Sequence, residues 1–422
     1  MASIQAPRGT EDILPETSWK WQAVESIARS VAELYHFAEI RTPIFEHTEL
    51  FHRGVGETTD IVAKETFTFT DRGGDSLTLR PEGTAGVVRA AIENNLIAQE
   101  GARKKVYYIG PNFRYERPQK GRLRQHHQFG VEAFGVAEAD QDVECILLQL
   151  QFYRRCGIRD LELRVNSLGD AESKQRFRDV VVGALRPHAA ELSEDSRRRL
   201  ETNPLRILDS KDPADQALCK SLPPAGESLS DRSRAHLRRV EELLKIGGQS
   251  YRIDPQLVRG FDYYTETLWE VTASGLGSQN ALGGGGRYDN LIENLGGRPT
   301  PGVGFGSGLE RLLIALDAQG AKLPDPRKPL IWIIAHGPAA YESAWNLLFD
   351  LRNAGLAADM DLSSRSVKAQ FKIADRESAK VCLIIGENEL AAGQVTVKQL
   401  TTGEQTTIDR GQIVEHAKAM LG

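Results

Sequence analysis

The chain has 422 residues, too many for one ordinary core, so two or three domains are expected. Its composition, 40% hydrophobic and 26% charged, is that of a soluble globular protein, and a net charge of −5 excludes a general coating of nucleic acid. Any RNA contact must therefore come from local basic patches. The cysteines, Cys145, Cys156, Cys219 and Cys382, are scattered and form no CxxC pair, which suggests neither a disulfide framework nor a structural zinc site. The opening residues 1–8 carry no apolar signal core and no apolar run is long enough to cross a bilayer, so a cytoplasmic protein without membrane contact is expected.

After the turn-rich stretch Pro7–Pro15, apolar residues Trp21, Val24, Ile27, Ala28, Val31 and Leu34 recur every three or four positions, which predicts an amphipathic helix from Glu16 to about Tyr35. Phe37 to Phe45 reads as a strand, and Pro43 puts it at an edge or an interface. Phe67–Asp71 and Ser76–Leu79 bracket Arg72-Gly73-Gly74 as a hairpin. Arg80-Pro81-Glu82-Gly83-Thr84 leads into a helix through about Ile97, with Thr84 as a candidate N-cap and Glu82 as a candidate ligand-facing carboxylate.

The densest basic patch follows. Val106–Ile109 reads as a strand and Gln128–Phe134 as a half-buried strand, and the loop between them carries five basic side chains, Arg114, Arg117, Lys120, Arg122 and Arg124. Only Glu116 opposes them in that loop. Such a loop is a solvated hairpin tip or a set of guanidinium forks presented to phosphate. Neighbouring His126 and His127 point to opposite faces of a strand and have no third partner at metal-ligand spacing, so no protein-only metal site is expected.

Gln141–Cys156 reads as a helix and Leu161–Asn166 as a strand. From about Ala171 to Gly248 the texture becomes charge-rich and helical, the mark of an inserted module, and strand-like texture returns from Tyr251 to Thr272. The run Gly283–Gly286 lacks the GxGxxG spacing of a dinucleotide loop, and its glycines suit a close backbone approach to a ligand. Gly302–Gly308 runs as a small-residue strand into a helix bearing Arg311. Three prolines in Leu323–Pro329 mark a linker, and Leu330–Ala335, Ala340–Ala354, Val381–Ile385 and Val395–Leu400 suggest a small domain of alternating strands and helices.

Several of these stretches resemble one family. The order F-R-x-E-R-P followed by R-x-R-Q-x-H-Q-F-G-x-E, Phe113 to Glu132, resembles motif 2 of class II aminoacyl-tRNA synthetases in its histidyl form. The helix-strand-Pro order resembles motif 1, which implies a homodimer, and G-x-G-x-G-L-E-R at Gly304–Arg311 resembles motif 3. Leu257–Thr265 and Ala281–Asp289 resemble two peptides specific to the histidyl branch. The fold so implied is α+β: a class II antiparallel catalytic sheet flanked by helices over residues 1–325, with a helical insertion at 171–248, a linker at 326–329 and an anticodon-binding α/β domain at 330–422.

The resemblance implies activation of L-histidine with ATP and Mg²⁺ to histidyl-adenylate and pyrophosphate, then transfer to the 3′ end of tRNA(His). Carried over residue by residue, Arg114 falls on the α-phosphate, Arg311 on the distal phosphates, Glu116 on the adenine side, and Arg259 near the carboxylate and α-phosphate. Glu82 and Thr84 fall on the α-ammonium group, Glu132 and Tyr264 on the imidazole, and Gln128, Tyr263 and Tyr288 along the same pocket. Arg117, Gln119 and Arg124 are candidates for the tRNA acceptor end, and the insertion either grips the acceptor stem or acts as a spacer. Two other classes compete: a histidine-binding regulatory relative without charging activity, and a non-enzymatic RNA-binding module. The first typically lacks the C-terminal domain and the arginines, whereas this chain keeps Arg114, Arg259, Arg311 and about ninety residues after the linker. The second leaves the pocket residues unexplained.

Overall fold

Pro15, at the first position of helix α1 (Pro15–Leu34), has no N–H to leave unsatisfied, and the buried stripe Val24, Ala28 and Val31 seats the helix on the main core. The structure, a computed structural model, describes residues 3–56, 59–99, 101–276, 280–363 and 365–421; Met1, Ala2 and Gly422, where the signal reading and the last domain boundary fall, lie outside them. It separates into two units, Met1–Asp325 and Pro326–Gly422.

The single strand expected from Phe37 to Phe45 is two short ones. β1 (Ala38–Glu39) pairs parallel with one sheet and β2 (Phe45–His47) antiparallel with another, so the chain changes sheets across Pro43. Buried Arg80 collects the carbonyls of that crossing, Thr42 at 3.3 Å and Pro43 at 3.4 Å, and donates to Pro111 at 2.8 Å. β3 (Phe67–Thr70) and β4 (Ser76–Leu79) form the expected hairpin and complete the sheet β2-β4-β3. Helix α2 (Thr84–Glu93) ends before Ile97 because Asn95 turns left-handed, with φ of 55°.

The larger sheet has eight strands in the order β1, β5 (Lys104–Phe113), β6 (Gln125–Phe134), β11 (Gly302–Gly308), β10 (Ala281–Arg287), β9 (Thr265–Ala273), β7 (Leu161–Ser167) and β8 (Arg252–Ile253). Its centre is antiparallel: β5 (Lys104–Phe113) and β6 (Gln125–Phe134) form the long hairpin, in register from Lys104↔Phe134 to Phe113↔Gln125. Helix α3 (Ala139–Cys156) covers one face and leads to β7 (Leu161–Ser167). Residues 171–248 then hold helices α4 (Ala171–Leu185), α5 (Glu194–Thr202), α6 (Pro213–Cys219) and α7 (Asp231–Ile246), with no strand. The strand texture expected over Tyr251–Thr272 resolves into β8 (Arg252–Ile253), a loop, and β9 (Thr265–Ala273). β10 (Ala281–Arg287) and β11 (Gly302–Gly308) fill the middle of the sheet, and α8 (Leu309–Ala318) follows directly.

Period-2 alternation sorts this sheet into two faces. Phe129, Val131 and Ala133 of β6 join Phe152, Tyr153, Trp269 and Phe305 in the core under α1, α3 and α8. Phe134 joins Tyr108, Tyr264, Leu268 and Tyr288 in a second core, which also takes Phe177 and Val181 from α4. A fully buried ion pair ties the layers: Arg287 donates to Asp142 in a short hydrogen bond, and Asp142 also accepts from Thr267 at 2.6 Å.

In the second unit, β12 (Ile331–Ala335), α9 (Pro338–Asn353), β13 (Ala358–Met360), α10 (Val367–Arg376), β14 (Val381–Ile385), β15 (Gln394–Gln399), β16 (Gln405–Asp409) and α11 (Ile413–Leu421) build a sheet ordered β13-β12-β14-β15-β16. The first three strands are parallel, as crossover helices require, and the last two antiparallel. The strands β13 and β16 and the helices α10 and α11 carry no reading from the sequence.

Candidate active site

On the second face of the large sheet lies a cavity of ≈ 1240 Å³, walled entirely by residues of the first unit. Glu82, Thr84, Arg114, Glu116, Gln128, Arg259, Tyr263, Tyr264, Tyr288 and Arg311 all line it. They come from five separate stretches of the chain, which the antiparallel sheet brings side by side.

One end is carboxylate and hydroxyl. Glu82 accepts from the backbone N–H groups of Thr84 at 2.6 Å and Ala85 at 2.7 Å, so it caps α2. Thr84, expected as the N-cap, is the first helical residue instead, and its hydroxyl donates to Glu132 at 2.8 Å. Burial nonetheless holds the Glu82 carboxyl above its usual range, outweighing those bonds. Glu132 is not on the cavity wall. Its carboxylate sits behind Thr84, Tyr108 and Tyr288, accepting from Tyr108 at 3.2 Å and from Tyr288 in a short hydrogen bond. Burial pushes it up to about 8, against the pull of those hydroxyl donors. Room for it depends on Gly304, where an added Cβ would lie 2.1 Å from Glu132 Oε2.

The other end is cationic. Arg114 is aimed by its Nε bond to the Pro81 carbonyl at 2.9 Å, and its guanidinium lies 5.6 Å from the Phe261 ring. Glu116 accepts from Arg122 at 3.1 Å. Arg259 donates to Glu270 at 3.3 Å; burial disfavours its charge, but Tyr264 and Glu270 raise its pKa above the ordinary value. Arg311 is lowered by burial and by Arg122 nearby, so positive charges crowd this end before any anion arrives. Glu310 fixes the start of α8 to the hairpin by accepting from His127 N at 2.8 Å and from its ring at 2.9 Å.

The remaining named residues lie at the hairpin tip. Arg117 and Gln119 are exposed, while Arg124 stacks 3.9 Å over Tyr115 and its N–H binds Gly9. The run Gly283–Gly286 also has a structural cause: a Cβ at Gly285 would meet the Gly304 carbonyl at 2.0 Å, and one at Gly284 the Trp269 carbonyl at 2.4 Å. What comes close is the protein's own neighbouring strands, although Gly283 and Gly284 also line the cavity.

A family model described as histidyl-tRNA synthetase matches residues 9–312, and one described as anticodon binding domain matches residues 331–420. The chain belongs to the histidyl-tRNA synthetase family. It is 49% identical over 414 residues to the histidine–tRNA ligase of Moorella thermoacetica, covering 98% of each chain. It is 47% identical to that of Bacillus subtilis, again over 98% of each. The apo histidyl-tRNA synthetase structure from S. aureus superposes with a TM-score of 0.83 at 38% identity, covering 98% of this chain and 99% of that one. A Bacillus halodurans structure titled as an ATP phosphoribosyltransferase regulatory subunit/histidyl-tRNA synthetase shares the fold, with a TM-score of 0.65 at 22% identity over 92% of this chain and 98% of that one.

Tyr108, His126, Glu270 and the stretch Ser210–Asp212, all on the cavity wall, carry no site reading from the sequence. Tyr108 was legible as a strand residue, but nothing local links it to Glu132, 24 positions away. His126 faces the cavity while His127 turns to Trp21, as strand alternation requires; burial and Arg114 lower its pKa to about 3, so it is neutral at pH 7.

Proposed function

We propose that this chain is a histidine–tRNA ligase that activates L-histidine with ATP to histidyl-adenylate and pyrophosphate, then transfers histidine to the 3′ end of tRNA(His). The observation that carries the reading is one cavity with a carboxylate-hydroxyl-tyrosine end and an arginine end, in a chain nearly half identical to histidine–tRNA ligases along its length.

The chemistry asks for such a division. A substrate carboxylate attacks the α-phosphorus of ATP and expels pyrophosphate, so two anions must be held together and the charge that develops must be met. Arg114 on the α-phosphate, Arg311 on the distal phosphates and Arg259 between carboxylate and α-phosphate supply fixed charge that needs no reorganisation. Glu116 meets the adenine side. Glu82 and Thr84 receive the α-ammonium group, and Tyr264 serves one imidazole nitrogen; Glu132, behind the wall in the ligand-free chain, serves the other by exchanging a hydroxyl partner for it, with Gln128, Tyr263 and Tyr288 closing the pocket. The neutral-to-anionic balance of Glu132, at about 8 before ligand, suits a group that gains charge only when an N–H donor arrives.

Mg²⁺ belongs to the proposal as an ion carried by the nucleotide. Among the described residues no three His, Cys, Asp or Glu side chains are grouped to cage a metal, whereas Mg²⁺ readily binds through phosphates and waters. When bound it neutralises phosphate charge. A homodimer belongs to the reading; edge strand β2 and the residue before it offer Ile44 and Phe45, 43% and 48% exposed, as apolar surface that a second copy can cover. Arg117, Gln119 and Arg124 at the tip are assigned to the acceptor end, the insertion 171–248 to its stem, and residues 330–422 beyond the 326–329 linker to the anticodon. The reading carries the cytoplasm as its compartment; among the described residues no helix is long and apolar enough to cross a membrane.

ATP–pyrophosphate exchange with each of the twenty amino acids tests this. Exchange is expected with histidine alone and is lost in Arg259→Ala. Histidine binding without exchange would point to a regulatory relative, and exchange with another amino acid would overturn the pocket assignment.

A further inference from the structure

The loop 254–264 brings Arg259, Tyr263 and Tyr264 to the cavity, yet it contains no regular element. Its near end is tied to the catalytic sheet, where buried Asn166 of β7 donates to the Leu257 carbonyl at 2.9 Å. Its far end runs into β9 and is tied outside the sheet as well. Lys174, in the first helix of the insertion, donates from Nζ to the carbonyls of Asp262 at 2.7 Å and Tyr264 at 3.2 Å, the residues on either side of Tyr263. Asn203, following α5, donates from Nδ2 to the Asp262 carboxylate at 2.7 Å. Phe177 and Val181, on the same helix as Lys174, share a core with Leu257, Val258, Tyr263 and Tyr264.

We infer that Lys174 and Asn203 are positioning residues for histidine recognition, clasping the loop so that Tyr263 and Tyr264 are held in the pocket by the helical insertion as well as by the start of β9. The inference rests on reading the cavity as the histidine site. An ammonium suits this position because three donors on one atom can satisfy two carbonyls of one turn, with an acidic side chain alongside. Without it the two carbonyls lose their donor and the tyrosine pair loses its fixed backbone. Arg259 lies nearer the Asn166 anchor and donates to Glu270, so the clasp bears more on the tyrosine pair than on the arginine.

The test is steady-state ATP–pyrophosphate exchange by the full chain, with hydrogen exchange on the same samples. Lys174→Met, which removes both hydrogen bonds, raises KM for histidine about tenfold or more, with KM for ATP and kcat changed less than about twofold. Lys174→Arg, which keeps the charge and can offer two of its N–H groups to the two carbonyls, recovers most of the loss. Asn203→Ala, at the half-buried junction after α5, raises KM for histidine about threefold and decides the matter if Lys174→Met does not fold. Amides of 260–264 exchange faster in both variants than in the parent. An unchanged KM for histidine, or KM for ATP rising in parallel, overturns the clasp. If the parent shows no histidine-dependent exchange, the proposed function fails instead, and the clasp then falls only if amide exchange in the loop is unaltered.

Discussion

Replacing Glu132 by Gln is expected to stabilise the ligand-free protein in mild alkali while weakening it in mild acid. The carboxyl is held at about 8 in the folded chain against 4.5 when exposed. Below 4.5 both states are protonated and the group costs nothing. Between 4.5 and 8 the unfolded chain releases a proton that the folded chain keeps, so stability falls as pH rises, and above 8 the loss is complete at roughly 5 kcal/mol. Glutamine escapes this loss. It keeps one acceptor oxygen for the hydroxyls of Thr84, Tyr108 and Tyr288, and one hydroxyl must turn to accept from its amide, at a cost of about 1 kcal/mol. The variant should thus be more stable by about 2–4 kcal/mol at pH 8.5 and less stable by about 1 kcal/mol at pH 4, with the two nearly equal at pH 5. Scanning calorimetry without ligand at pH 8.5 and pH 4 reads the difference, about 2 °C per kcal/mol for a unit of this size, and isothermal titration should show histidine affinity lost in the variant. Equal destabilisation at both pH values would mean that the three hydroxyl donors outweigh burial and keep Glu132 ionised. That result would refute the reasoning.

Other outcomes follow from buried charge and from empty space. Arg287→Met leaves Asp142 ionised and enclosed, with Thr267 and His236 as its remaining partners, and should cost about 3–5 kcal/mol in urea unfolding. Adding Asp142→Leu should return most of that, because the stranded charge is the larger part of the cost; no recovery in the double variant would refute it. Gly183, exposed in the interior of α4 with nothing within 4 Å of an added Cβ, should accept Ala with a gain of about 0.5–1 kcal/mol and unchanged exchange kinetics. A Tm lower than the parent would show that the helix is not regular there.

What the chain determines by itself is what repeats over a few residues. The apolar stripe of α1, the alternation of β6 and the turn glycines of the β3–β4 hairpin were legible because side-chain periodicity follows local backbone geometry. The family motifs were legible for a related reason: each is a short run whose residues must be fixed relative to one another. Only the tertiary structure decided what depends on partners far along the chain. Thr84 looks like a helix cap, yet its hydroxyl turns to Glu132, 48 positions on. The strand expected across Pro43 divides because its halves meet different sheets, and no local propensity reports a change of partner. Glu132 carries no sign of its raised pKa in the sequence, since burial is a property of everything packed around it. The loop before β9 is held from 88 positions upstream by Lys174, which in the sequence is one charged residue among many on a helix face. Local order is set by covalent neighbours. The charge state and position of a site are set by the neighbours that folding supplies.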